Sequence, residues 1–209
     1  MSGRLVSLEG GEGAGKSTVI AAMEAFLVER GVEYVRSREP GGTPMGERIR
    51  ELLLDAGGTG MDARTELLLM FASRAQLVRE LVEPSLAAGR WVLCDRFTDA
   101  SFAYQGGGRG LDGSLIAELE RQVVGRRPDL TLLLDVPVEV GLERARGRAA
   151  APDRIESESE AFFERVRSAY RRRAAAEPDR FVVIDASAPL EQVVQAARAA
   201  LEALWQRSH

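Results

Sequence analysis

Cysteine, histidine and lysine are nearly absent from this chain: each occurs once, as Cys94, His209 and Lys16. One cysteine closes no internal disulfide, and one cysteine with one terminal histidine builds no zinc cluster. Histidine-centred acid–base catalysis and His/Cys metal sites are therefore excluded. No apolar run approaches the roughly eighteen residues of a membrane span, and MSGRLVSLEG at the N-terminus lacks a signal-peptide layout. No membrane partner is expected. An excess of positive charge is also missing: 28 basic against 32 acidic residues give a net charge of −4, which disfavours a nucleic-acid partner. A reducing cytoplasm is the expected location. The 209 residues, 45% of them hydrophobic, suffice for one sizeable domain and are short for two, so a single domain over 1–209 is expected.

Of the 28 basic residues, 27 are arginine and only Lys16 is lysine. A compact ammonium and a planar guanidinium are not equivalent where geometry is tight, so the surviving lysine marks a place that needs a point charge. It stands in Gly10-Gly11-Glu12-Gly13-Ala14-Gly15-Lys16-Ser17, which satisfies G-x-x-x-x-G-K-[ST] at every fixed position, with Thr18 following. An apolar run, Leu5 to Leu8, precedes this loop and a helical segment, about Lys16 to Arg30, follows it. That is the context of a phosphate cradle. Glycines let backbone N–H groups turn inward, the helix N-terminus adds partial positive charge, Lys16 reaches the β and γ phosphates, and Ser17 ligates magnesium. A nucleoside triphosphate and Mg2+ are the implied small molecules. A guanine-reading Asn-Lys-x-Asp motif is impossible with one lysine already used, so a GTPase switch is disfavoured.

Further along, Glu33–Ser37 can form a second strand, and short apolar runs at Trp91–Cys94, Leu130–Leu134 and Phe181–Ile184 read as strands. Helical periodicity covers Met45–Leu54, Thr65–Ala88, Leu111–Val124, Pro137–Arg146, Ser159–Ala176 and Leu190–Trp205. Five buried strands separated by helices predict an α/β P-loop fold, a five-stranded mostly parallel sheet with helices on both faces, with ligands at the strand carboxyl ends. Arg38-Glu39 directly follows the second strand and Asp95-Arg96 the third. Arginine forks match phosphate oxygens, which favours a kinase with a phosphorylated acceptor. An ATPase switch and a kinase for another nucleoside monophosphate stay open at this level.

The motifs GGEGAGKS, REPGGT, FASR, DRF, AYQGGGRG and DRIE, in this order over nearly the whole chain, closely resemble bacterial thymidylate kinases. The resemblance implies phosphorylation of dTMP to dTDP by ATP in a nucleoside monophosphate kinase domain, and a homodimer. It implies that Arg96 and Arg50 clamp the acceptor phosphate, that Arg74 meets the thymine carbonyl, and that Ser101 and Gln105 contact the thymine edge. Tyr104 is expected to crowd the sugar where a ribonucleotide carries its 2′-hydroxyl. Glu12 and Glu39 match acidic positions near the acceptor, Glu12 close to the 3′-hydroxyl, and Asp95 sits where a carboxylate organises magnesium through water. The family stacks thymine on a phenylalanine four residues before the helix arginine. Here that place is Met70, and Phe71 is three before Arg74, so either side chain can cover the base.

A basic segment broken by small residues, about 144–157, matches a mobile lid. The phosphate loop contains no arginine, so the chain resembles family members that carry the catalytic arginine in the lid, here Arg148 first and Arg146 second, with Arg154 a further candidate. Cys94 and Trp205 read as core residues, and Asp135 as either an adenine-side contact or a cap. The lysine argument has a direct test. Lys16→Arg is expected to lower turnover ~10²-fold or more with the thermal melt unchanged; near-normal turnover contradicts the reading of the lone lysine.

Overall fold

The computed structural model describes residues 3–55, 60–147 and 153–207. Five strands, β1 (Leu5–Gly10), β2 (Tyr34–Arg38), β3 (Trp91–Asp95), β4 (Leu130–Asp135) and β5 (Phe181–Asp185), form one sheet in the order β2-β3-β1-β4-β5. All four pairings are parallel, as the five apolar runs separated by helices predict. β1 and β4 are almost wholly buried, whereas the edge strands β2 and β5 are only partly so, with Val183 half exposed. Central strands covered on both faces need continuous apolar sequence; edge strands do not.

Along β1 the side chains alternate. Val6 and Leu8 join Leu132 and Leu134 in a core closed by α1 (Lys16–Glu29) and the last helix, α9 (Leu190–Gln206). Leu5, Ser7 and Glu9 face the opposite layer, which a period of two requires. There Ser7 hydrogen-bonds Thr131 at 2.9 Å, and Glu9 is carried into the interior at the end of the strand.

The helices follow their expected ranges. α2 (Pro44–Leu54) starts with Thr43, whose hydroxyl accepts from Gly46 N, and with proline at N1. α3 (Ala63–Leu77) is capped by Asp62 and runs through wide i→i+5 turns over Val78–Val82 into α4 (Glu83–Ala87). The widened turn precedes Pro84, which has no N–H to give a regular ladder. The segment after β3 is also helical, α5 (Thr98–Ser101) continuing in wide turns over Phe102–Gly108. Three glycines hide this helix in the sequence. They serve close packing: a Cβ at Gly108 would meet the Phe162 ring 2.4 Å away on α8 (Glu160–Ala176). α6 (Gly113–Leu119) opens on Asp112 and α7 (Val138–Arg146) on Pro137.

α8 is bound into the sheet layer by charge as well as by apolar contact. Asp99, wholly buried, accepts from Arg173 on α8 and from Arg180 just before β5 at 2.7–3.0 Å. β1 borders both β3 and β4, which leave it in opposite directions around the sheet, so a crevice opens at its carboxyl end, where the phosphate loop begins.

Candidate active site

The crevice is a cleft of about 530 Å³. One wall is the phosphate loop and first turn of α1, residues 12–18; the other carries Arg38, Glu39, Arg50, Met70, Arg74, Asp95, Arg96, Ser101, Tyr104 and Gln105. Residues that lie far apart in sequence thus meet around one space of the size a small-molecule site requires. Gly10 and Gly11 lie at the base of the loop and accept from the Lys16 ammonium at 3.3 and 3.1 Å. Gly13 holds φ at 68°, and a Cβ there would lie 1.9 Å from the Gly141 carbonyl oxygen, so the loop can lie flat on α7 only with glycine. Burial, reinforced by the Arg96 charge, lowers the Lys16 pKa. Ser17 and Thr18 are exposed on the first turn.

Arg96 is the pivot of the wall opposite the phosphate loop. Its φ of 70° is the only positive value at a non-glycine among the described residues. Three hydrogen bonds hold the turn: Arg96 N donates to Leu8 O at 3.0 Å, Phe97 N to Glu9 Oε1 at 2.7 Å, and the Tyr170 hydroxyl to Glu9 Oε2 at 2.7 Å. The guanidinium donates to Gly10 O and Glu12 Oε1, each at 2.9 Å, and to the Tyr170 hydroxyl at 3.3 Å, and it stacks 4.8 Å from the Tyr104 ring centre. Tyr104 donates to the same Glu12 oxygen at 3.2 Å, and burial pushes its phenol well above the ordinary range, so it remains a donor.

Arg74 is buried. It donates from Nε to Glu39 Oε2 at 2.6 Å, from Nη1 to Ser101 Oγ at 3.0 Å and from Nη2 to Phe97 O at 3.2 Å. Burial pushes the Glu39 carboxyl up to about 7 against the opposing pull of Arg74, and its Oε1 is buried without a hydrogen-bond partner. Arg50 donates to Pro40 O at 2.9 Å from α2. Phe71 lies outside the cleft lining, in the core with Leu5 and Phe97, its ring against the Arg74 guanidinium at 4.7 Å. Met70 lies in the cleft lining, one helical step away.

Among the lid arginines, Arg146 is exposed on the last turn of α7, and Arg148 lies outside the described residues. Arg154 is an anchor: it donates to Leu53 O at 2.8 Å and to Glu66 Oε2 at 2.7 Å. Asp135 pairs with Arg167 of α8 through two hydrogen bonds, at 2.7 and 3.1 Å. Burial raises the Cys94 thiol well above its usual range, so it is inert, and Trp205 packs under Arg30 against the α1–α9 core. Sequence reading passed over Glu9, Tyr170 and Glu66. A carboxylate ending the buried run Leu5–Leu8 was the available signal for Glu9; Tyr170, 161 positions away, carried none.

Comparison with known proteins decides the family. A thymidylate kinase family model matches residues 8–197. Thymidylate kinases from Chromohalobacter salexigens, 58% identical with 91% of each chain covered, and Alcanivorax borkumensis, 56% identical with 93% of this chain and 94% of the relative covered, are similar along their length. That of Pseudomonas entomophila is 55% identical over 99% of each chain. The chain belongs to the thymidylate kinase family. It is an ATP-dependent phosphotransferase that phosphorylates dTMP, and neither an ATPase switch nor a kinase for another nucleotide gains support. Among the described residues, no helix is long and apolar enough to cross a membrane.

The frame around Arg96 gives a pH test. Burial, with Asp99 adding to it, raises the Glu9 carboxyl to about 8, against hydrogen bonds from Tyr170 and Phe97 and the Arg96 charge. The folded protein thus holds a proton that the unfolded chain releases above about pH 4.5. The stability linked to that proton is complete below about pH 4.5 and falls as pH rises to about 8, by up to ~1.4 kcal/mol per pH unit. Glu9→Gln cannot titrate. Its denaturation free energy relative to the unsubstituted protein is expected to rise steadily between pH 5 and 8; a constant difference contradicts the assignment.

Proposed function

We propose that dTMP phosphorylation is carried out by direct in-line transfer in this cleft, within a single nucleoside monophosphate kinase domain over 1–209 whose lid spans about 144–157. The acceptor phosphate oxygen forms a bond to the γ-phosphorus of ATP as the bond to the β-bridging oxygen breaks, and ADP leaves with the electron pair. No side chain is phosphorylated. The observation that carries this reading is the convergence of Lys16 in its phosphate loop with Arg96, Arg50 and Arg74 on one cleft.

In this reading the loop, residues 10–18, cradles the ATP phosphates, and Lys16 neutralises charge on the group in transit. Arg96 and Arg50 hold the acceptor phosphate, so that proximity rather than acid–base chemistry lowers the barrier. Glu12, drawn to Arg96 and Tyr104, sits by the sugar 3′-hydroxyl, and the fixed Tyr104 ring excludes a 2′-hydroxyl. Arg74, Ser101 and Gln105 meet the thymine edge, Glu39 holds Arg74, and Met70, rather than the core residue Phe71, covers the base. The residues suit magnesium: Asp95 Oδ1 is buried without a partner at the end of β3, and Ser17 is exposed to the cleft. When bound there, Mg2+ neutralises phosphate charge. We place the protein in the cytoplasm and assign it a homodimer on the resemblance, with exposed Leu68, Leu115 and Val123 as apolar groups for a second copy to cover.

Arg154 is committed to Leu53 and Glu66, which leaves Arg148, then Arg146, as the arginine that reaches the transferring group. In single-turnover experiments ATP consumption should follow added dTMP with formation of dTDP. Arg148→Ala should slow that step ~10³-fold with ATP and dTMP affinities little changed. Slow hydrolysis indifferent to dTMP contradicts the kinase reading. A normal chemical step in both Arg148→Ala and Arg146→Ala moves the stabilising charge to Lys16 and the acceptor arginines.

A further inference from the structure

Behind the base end of the cleft lies a carboxylate that the mechanism does not use. Glu66, in the first turn of α3, is 1% exposed and collects four donors from three side chains. Gln105 Nε2 approaches its Oε1 at 2.8 Å, and Arg109 donates from Nε and Nη2 to Oε2 at 3.2 and 3.0 Å. Arg154 Nη2 donates to Oε2 at 2.7 Å. Burial alone raises a carboxyl, yet the hydrogen bonds from Arg109, Gln105 and Arg154 hold Glu66 below its ordinary range. An ionised carboxylate accepts only, and a proton on it would face two guanidinium groups.

This settles the two-fold choice at Gln105. A glutamine amide offers a donor at one end and an acceptor at the other, and its neighbours decide which end faces where. With Nε2 committed to Glu66, the carbonyl Oε1 is the end left to the cleft that Gln105 lines. Thymine donates at N3, whereas cytosine carries a lone pair there. A fixed carbonyl therefore gains a hydrogen bond with the first and sets two acceptors face to face with the second.

We propose that Glu66 is a specificity-determining positioning residue: by holding the Gln105 amide in one orientation, it makes the pocket accept a pyrimidine that donates at N3 and reject one that accepts there. The proposal rests on the reading that Gln105 meets the base edge. Glu66 touches no substrate. It acts through Gln105, and the same carboxylate fastens Arg154 near the end of the lid segment.

The test compares kcat/KM for dTMP and dCMP in the full-length protein. Glu66→Gln can turn its own amide and so release that of Gln105; the dTMP preference is expected to fall at least ~10-fold. Glu66→Asp, still accepting only, should keep the preference within a few-fold. In a Gln105→Ala background Glu66→Gln should change the preference no further. An unchanged preference in Glu66→Gln, or an equal loss in Glu66→Asp, overturns the proposal. If Gln105→Ala itself leaves the preference intact, the base-edge reading of Gln105 has failed, and the role of Glu66 falls with it.

Discussion

Arg96 carries a full side chain through a left-handed backbone conformation that costs roughly 1–3 kcal/mol, and much of the cleft is arranged around that position. The strain is held by the ends of β1 and β3, which donate and accept across the turn, and by Glu9, which takes the next N–H from below. What the turn achieves is direction. It sends a guanidinium from the sheet back across the phosphate loop, where Gly10, Glu12, Tyr170 and Tyr104 fix its plane. In the proposed mechanism, a fork aimed before the acceptor arrives loses little freedom when the phosphate binds, and this is the form of preorganisation that phosphoryl transfer rewards.

Buried carboxylates recur as the means of aiming. Glu9 supports Arg96, Glu39 holds Arg74, Glu66 orients Gln105 and anchors Arg154, and Asp99 ties Arg173 and Arg180 beneath the same layer. A buried charge pair such as Glu66 with Arg154, or Asp99 with Arg173 and Arg180, adds little net stability compared with apolar packing, but breaking one leaves an uncompensated charge and is costly. Such pairs therefore resist alternative rotamers. A chain that relies on arginine for all but one of its cations is suited to this arrangement, since each planar fork can be held at one edge and present another.

The legible part of this protein was local or regularly spaced. The apolar runs of β1, β3 and β4 and the phosphate loop were readable because burial on both faces of a strand, and phosphate binding by glycine turns, each impose a residue pattern over a few positions. The helix over Thr98–Gly108 was hidden because its glycines serve packing against Phe162 and Ala169 at the expense of helix propensity. Met70 and Phe71 could not be told apart from spacing, since three and four residues before Arg74 share one helical face; packing puts Phe71 in the core with Leu5 and Phe97 and leaves Met70 in the cleft lining. Nor does counting arginines reveal that Arg154 is fastened to Glu66, 88 positions away. The couplings that aim the cleft, Glu9 with Tyr170 and Glu66 with Gln105, exist only once β1, α3, α5 and α8 have packed.

The most direct measurement of whether the pre-aimed Arg96 is the acceptor clamp is a calorimetric titration of dTMP into the Arg96→Ala protein, saturated with a nonhydrolysable ATP analogue. The account predicts at least a ~10-fold loss of dTMP affinity, the equivalent of about 1.4 kcal/mol, with binding of the ATP analogue unchanged. An unaltered dTMP affinity would contradict it and move the acceptor phosphate to another part of the cleft.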